Sequence, residues 1–519
     1  MTIWPFHATL TSVSKCIFNV KRGMADMYKK VNYGDAVNNR IFSDNVSKRV
    51  VIVMPAHNEA GSIGDTLDSI SKLVTVKDTK LNLFVAYDNC ADNTEEVVKS
   101  YADKLDIFGM DTVSNKDHKA GALNQVYQLF FGNHDTDAED IGRQQKQCVS
   151  NIVAFMGIDA DVYLDSNCLI TLWNELQQKY KIAGVSANYL SLLPTSKYKE
   201  SKSTSIINLK SNHGGALARF ITAQQNKSFV QWTLEQKHNG YVASILGGQC
   251  TLFRPEALEE VNQRYKLNGV YSTETDTEDL LLTQQLRALG WVPRISKSAR
   301  CYVDSMKTMS AYINQQVKWS TGKLDYVTKA GVSTAYARKI WREELTIWMN
   351  VAIRVGLLIL IPASLALNRF KWSWVWALPL VLSMILNLIV SLKVPNKRFI
   401  DVLLSVTTIS PEVQIWFDAY VHYHAWENLA KVDKSDGWRM QELAEAGSLK
   451  SSHVGIIAMV LLLIGIVLGV HFGWLSSATA LDAISPYISS GFTVLTYLTL
   501  FTTFLMVVKL FKIRGNFKG

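Results

Sequence analysis

Cysteine is scarce and unpatterned in this chain. Its six cysteines (Cys16, Cys90, Cys148, Cys168, Cys250 and Cys301) include no C-x-x-C pair, which excludes zinc-ribbon and dithiol redox chemistry and leaves separate, reduced thiols. A glycine cradle for phosphate is also missing. The first strand-like run is followed by Pro55-Ala56-His57-Asn58-Glu59 instead of G-x-G-x-x-G, and no P-loop is present, so a dinucleotide-binding site of the usual kind is excluded. Met1 to Val20 lacks the charged-then-apolar order of a cleavable signal peptide. No basic helix or arm accompanies the net charge of +9, so nucleic acid is not an expected partner.

What is present is uneven. Over 519 residues the hydrophobic share is 48% and the mean hydropathy +0.06, values that suit a soluble part joined to a membrane part. Residues 1–340 read as mixed α/β sequence, whereas 345–510 hold long uncharged stretches. Many lysines and arginines lie beside those stretches, where anionic lipid headgroups account for them.

The chain is organised around Phe155-Met156-Gly157-Ile158-Asp159-Ala160-Asp161, an apolar run from Ile152 that ends in two carboxylates. Such a run reads as a strand buried on both faces. It would deliver Asp159 and Asp161 to the carboxyl edge of a parallel sheet, where open α/β sheets bind ligands. Two hard oxygen ligands at this spacing suit Mg²⁺ or Mn²⁺, which would clamp a diphosphate. Alone, D-x-D is a weak motif and reads more readily as an acidic turn. Upstream, Val50–Met54 and Leu81–Tyr87 read as strands, and Ile63, Leu67, Ile70 and Leu73 mark a helix face. A further helix spans Ala120–Phe131. Strand and helix alternate, which implies a parallel sheet whose strand ends carry Asn58, Glu59, Asp88, Asp92, Asp159 and Asp161. With no glycine cradle, a metal and a base such as Lys119 would neutralise phosphate.

Taken in order, Pro55-Ala56-His57-Asn58-Glu59, Asp88-Asn89-Cys90-Ala91-Asp92-Asn93-Thr94, His118-Lys119-Ala120-Gly121-Ala122-Leu123-Asn124 and Asp159-Ala160-Asp161 resemble the successive motifs of inverting family 2 glycosyltransferases with a GT-A fold. The likeness covers roughly residues 48–330. It implies that Ala56, Glu59 and Asp88 line the nucleobase and ribose, that Lys119 lies near the base or diphosphate, and that Asp161 holds the metal with Asp159 beside it. Gly248 and Gln249 match the segment lining the acceptor sugar, although paired glycines also make ordinary turns.

Thr277-Glu278-Asp279 resembles the family's T-E-D motif, whose aspartate is the general base, with Glu278 beside it. An inverting transfer needs one carboxylate to take the acceptor hydroxyl's proton as that oxygen attacks the anomeric carbon. The same residues would cap a helix and stabilise its first turn. Gln315-Gln316-Val317-Lys318-Trp319 resembles the Q-x-x-R-W motif of processive polysaccharide synthases (cellulose, chitin, hyaluronan and poly-N-acetylglucosamine synthase type). In that motif the tryptophan stacks on the acceptor while the glutamine and arginine contact the donor diphosphate. Lys318 replaces the arginine, offering a point charge instead of a planar fork.

Four stretches, 345–367, 372–392, 453–474 and 487–508, are long enough to span a bilayer, and 399–426 reads as an interfacial segment bent at Pro411. Arg354 would snorkel or face a sugar path. The loop between the second and third spans and the C-terminal tail are rich in lysine and arginine. The positive-inside rule therefore puts the catalytic domain and C-terminus in the cytoplasm beneath the plasma membrane. The expected organisation is an N-terminal segment (1–48) that could lie on the membrane surface, an α/β GT-A domain (49–330) and an all-α membrane region (331–519). The expected partners are a UDP-sugar donor, a β-linked polysaccharide acceptor and membrane lipids, with self-association left open. The alternative acceptor is a lipid or lipid-linked molecule receiving one sugar.

Overall fold

The computed structural model describes residues 48–131, 151–192, 215–431 and 478–512, less residues 268, 307, 367–369, 396 and 408. The expected N-terminal surface segment and the expected span 453–474 lie outside the described residues.

An eight-stranded sheet runs in the order β3-β2-β1-β4-β7-β6-β8-β5. Its strands are β1 (Arg49–Ala56), β2 (Lys80–Tyr87), β3 (Ile107–Asp111), β4 (Ile152–Ile158), β5 (Val162–Leu164), β6 (Ile182–Ser191), β7 (Cys250–Phe253) and β8 (Val292–Val303). The first four strands are mutually parallel. β7 runs antiparallel to both β4 and β6, β6 and β8 are parallel, and β5 is antiparallel to β8. This mixed, mostly parallel α/β sheet followed by helices is the fold class expected.

Alternate residues of β1 enter opposite layers, as a period of two requires. Val50, Ile52 and Met54 join a core with Ile63, Leu67 and Ile70 of α1 (Ile63–Ser71). Leu169 and Leu172 of α4 (Cys168–Leu176) complete that layer, and α2 (Thr94–Lys99) adds Val98. Val51 and Val53 face the other core, with Leu123, Val126 and Tyr127 of α3 (His118–Phe131). A single fully buried side chain of this kind contributes about 1.5–3 kcal/mol. Burial on both faces therefore fixes the strand ends firmly, and the loops leaving β1, β2 and β4 converge on one edge.

Farther along the chain come α5 (Ala216–His238), α6 (Pro255–Tyr265), α7 (Glu278–Ala288) and α8 (Met309–Ala330). They are followed by α9 (Ala335–Ala366), α10 (Leu378–Lys393), α11 (Phe399–Ser405), α12 (Ile409–Ala430) and α13 (Ala478–Lys512). Three helical segments, Ala335–Leu365, Trp374–Lys393 and Pro486–Lys512, are long and apolar enough to cross a membrane. In α9 and α13, a Cβ at Gly356 would meet Leu495 Cδ2 at 2.8 Å, and one at Gly491 would meet Leu360 Cδ1 at 3.0 Å. The reversed order of these two contacts makes the helices antiparallel, with small residues permitting close approach.

The sheet and the apolar helices share two cores. Val390 and Val394 join Val230 and Leu234 of α5. Leu280 of α7 packs with Leu324 of α8, Ile340 of α9 and Ala425 of α12. Arg354 does not reach past the apolar layer for water. It donates to Glu412 of α12 through Nη2 (2.9 Å) and Nε (3.2 Å), as the cost of an uncompensated charge in an apolar setting demands. The expected bend at Pro411 falls earlier, between Ser405 and Ile409. Pro411 lies in the first turn of α12, where its missing N–H breaks no helical bond.

Candidate functional site

The loops after β1 and β2 are laced together. The Ala56 carbonyl accepts from the Asp88 N–H at 2.8 Å. Asn58, at φ 55°, accepts from the Ala91 N–H at 2.8 Å; asparagine tolerates this left-handed backbone. The Glu59 N–H donates to Thr94 Oγ1 at 2.8 Å, and Ala60 donates to Asp92 Oδ2 at 3.0 Å. Asp88 is buried, and its Oδ1 accepts from Asn115 Nδ2 (2.7 Å), Asn89 Nδ2 (2.9 Å) and Thr112 Oγ1 (3.0 Å). Ala56 is buried too, with its side chain in the core, so its contribution to this edge is its backbone.

Five charged side chains from four elements meet beside these loops. Lys119 Nζ, at the start of α3, pairs with Asp159 Oδ1 and lies 3.7 Å from Glu278 Oε1. Gly248 closes on the lysine, since a Cβ there would lie 2.7 Å from Lys119 Nζ and 3.9 Å from Asp159 Oδ1. Any side chain at 248 would displace the ammonium. The Asp279 carboxylate accepts from the Leu280 N–H at 2.7 Å and from the Gly248 N–H. Burial pushes Asp279 up to about 7, helped by the Glu278 charge and opposed by Lys119. Burial pulls Lys318, on α8, down to about 7, against the attraction of Glu278 and with Lys119 adding repulsion. Burial works against the Lys119 ammonium as well, but Asp159 and Glu278 outweigh it and raise its affinity for the proton.

Asp161 faces a third carboxylate. β5 and β8 pair with Val162 opposite Val303 and Tyr163 opposite Tyr302. Extending that register sets Asp161 opposite Asp304, and like charges facing across strands are destabilising unless something neutralises them. Burial, then the charges of Asp159, Glu59 and Asp304, hold the Asp161 carboxyl well above the usual range. Among the described residues no three His, Cys, Asp or Glu side chains already form a metal-holding group. The donor set nevertheless fits a hard divalent ion, because Asp159, Asp161 and Asp304 offer only carboxylate oxygens and the charges of Asp159 and Asp304 both repel that of Asp161.

Residues 51–261 match the family model described as glycosyl transferase family 2. Over that stretch the chain is similar to family 2 glycosyltransferases. Its mostly parallel, doubly wound sheet has the GT-A architecture.

The poly-beta-1,6-N-acetyl-D-glucosamine synthase of Staphylococcus aureus (strain MSSA476) is 22% identical over 290 residues, covering 56% of this chain and 58% of the relative. The corresponding synthase of Staphylococcus epidermidis is 21% identical over 291 residues, with the same coverage. The match thus spans little more than half the length of these relatives. Among solved structures, a mannosyltransferase from Pyrobaculum calidifontis in complex with GDP-Man and Mn²⁺ aligns at 14% identity and TM-score 0.37, over 93% of this chain and 96% of that one. S. aureus TarS 1–349 in complex with UDP aligns at 15% identity and TM-score 0.33, over 75% and 95%.

The α/β domain thus gathers Lys119, Asp159, Glu278, Asp279, Gly248 and Lys318 into one cluster, with Asp161 within electrostatic reach of both Asp159 and Glu59. Asp88 lies on the neighbouring strand end. Gln249 is half-buried, and its side-chain oxygen folds back toward Gly247. Gln315 and Trp319 share a face of α8 with Lys318, and Trp319 is partly exposed. Asp304 went unread in the sequence, since only the β5–β8 register brings it to Asp161. Gly322, one turn beyond Lys318, holds α8 against the acidic loop, because a Cβ there would lie 2.8 Å from Thr277 Cβ.

Proposed function

We propose that this chain is an inverting, metal-dependent glycosyltransferase that moves a sugar from a UDP-sugar onto a growing β-linked polysaccharide at the cytoplasmic face of a membrane. The observation that carries this reading is the convergence of Asp279, poised near neutrality, with Lys119, Lys318 and Asp159 beside the Asp161–Asp304 pair. Asp279 takes the proton of the acceptor hydroxyl. The acceptor oxygen bonds to the anomeric carbon as the bond to the diphosphate oxygen breaks on the opposite face. The departing nucleotide carries its charge toward Lys119 and Lys318, which meet it in a site of low dielectric. Mg²⁺ or Mn²⁺, held by Asp161 and Asp159 with Asp304, would supply further neutralisation of the diphosphate. Asp88 and Glu59 line the nucleoside end, and Gly248, Gln249 and Trp319 the acceptor end.

The names of the synthase relatives support N-acetylglucosamine as the first sugar to test and a polymer as the product. Membranes containing the full chain, incubated with Mn²⁺ and a panel of labelled UDP-sugars, are expected to build labelled polymer from one of them. Label confined to a single-sugar lipid would refute the polymerase reading and leave the transferase.

Close contact between α8 and the acidic loop gives a separate prediction. The Gly322→Ala methyl would push Thr277 aside at a cost of about 1–3 kcal/mol. Initial rates should fall about tenfold, because Asp279 follows Thr277 by two residues. Unchanged rates in the folded variant would show that α8 does not hold the base in place.

A further inference from the structure

Gln225 is nearly fully buried on α5 and takes no part in the chemistry above. Its Oε1 accepts from the Met306 N–H at 3.3 Å, and its Nε2 donates to Gln315 Oε1 at 3.2 Å. Gln316 Nε2 approaches the same oxygen at 3.5 Å.

The first link has a fixed direction. A backbone N–H can only donate, so the amide of Gln225 must present its oxygen to Met306 and its nitrogen to Gln315. Gln315 must then turn its own oxygen toward Gln225. That leaves Gln315 Nε2 as the group with no acceptor among the described residues, one helical turn before Lys318.

We infer that Gln225 is a positioning residue that sets the polarity of the Gln315 amide, so that Gln315 offers N–H donors and not a carbonyl oxygen to the donor diphosphate. The inference rests on the reading of Gln315 as a diphosphate contact. A phosphate oxygen accepts hydrogen bonds and is repelled by a carbonyl oxygen, so the two orientations differ sharply in their fitness for an anion. Hydrogen bonds to charged groups are the strong class.

Two substitutions test this in the full-length solubilised chain, with UDP as the probe and Mn²⁺ present. In Gln225→Glu a carboxylate accepts from Met306 and demands a donor from Gln315, reversing its amide. UDP affinity is expected to fall roughly tenfold, the scale of a lost charge-assisted hydrogen bond. Gln225→Met removes the constraint without reversing it, and a smaller loss of about threefold is expected on the same grounds. In a Gln315→Met background neither change should weaken UDP binding further, which a purely structural role for Gln225 would not produce. Melting temperatures identify any unfolded variant, and Gln225→Met carries the test should Gln225→Glu fail to fold. If Gln315→Met weakens UDP binding while both folded Gln225 variants bind within twofold of wild type, the inference is overturned. If Gln315→Met itself leaves UDP affinity unchanged, the diphosphate reading of Gln315 falls and takes the inference with it.

Discussion

Asp279→Asn is expected to lower sugar transfer by about 10²–10⁴, the range contributed by a positioned general base, while UDP binding stays close to wild type. The substitution keeps the shape and an oxygen able to accept from the Leu280 N–H. It removes the negative charge and with it the ability to take a proton. Stability should move the other way. Asp279 is raised from 3.8 to about 7 in the folded chain, so its ionised form is disfavoured by folding. That cost is absent below about pH 4, grows between pH 4 and 7, and is constant above. At pH 8 the asparagine variant should therefore melt at or above the wild-type temperature. A variant that loses activity and melts lower would assign Asp279 a structural role; one that keeps full activity would remove it from the mechanism.

The second large effect is on pH dependence. Asp279 must be ionised to act, and it faces Glu278, Lys119 and the N–H groups of Leu280 and Gly248. Lys318 must be protonated to meet the diphosphate, and it faces Glu278, Lys119, Asp276 and Asp279. Both titrate at about 7, the first pushed up and the second pulled down by burial. A plot of kcat/KM against pH should accordingly be a narrow bell centred near 7, its limbs belonging to the interacting group as a whole. Lys318→Arg puts a guanidinium in place of the ammonium, and a guanidinium stays charged at any ordinary pH. Its alkaline limb should shift upward by at least one pH unit. An alkaline limb unmoved by this substitution would show that Lys318 does not set it.

Legibility in the sequence tracked the physical signal. β1 and β4 are buried on both faces and so appear as unbroken apolar runs. Asp159, Asp279 and Lys318 stand out because their neighbours repeat a known motif order. β8 went unread because Arg294, Lys297 and Arg300 interrupt its twelve residues, and β3 because it has only five, with Gly109 in the middle. Losing β8 meant losing Asp304, whose nearness to Asp161 exists only in the strand register. Gln225 gives no signal of its own, since its role depends on the direction of a hydrogen bond from a loop more than eighty residues on. Arg354 is legible as a charge in an apolar helix, but its partner Glu412 belongs to a helix that only tertiary packing brings near.

Acids and lysines scattered along the chain share a single nucleotide site in the mechanism proposed. Titrating UDP with Mn²⁺ into the solubilised full-length chain tests it directly. One site per chain is predicted, with affinity reduced at least about tenfold by each of Asp88→Asn, Lys119→Met and Asp161→Asn, the size expected when a charged contact is removed, and unchanged by Asp279→Asn. Wild-type affinity in all three of those variants would contradict it.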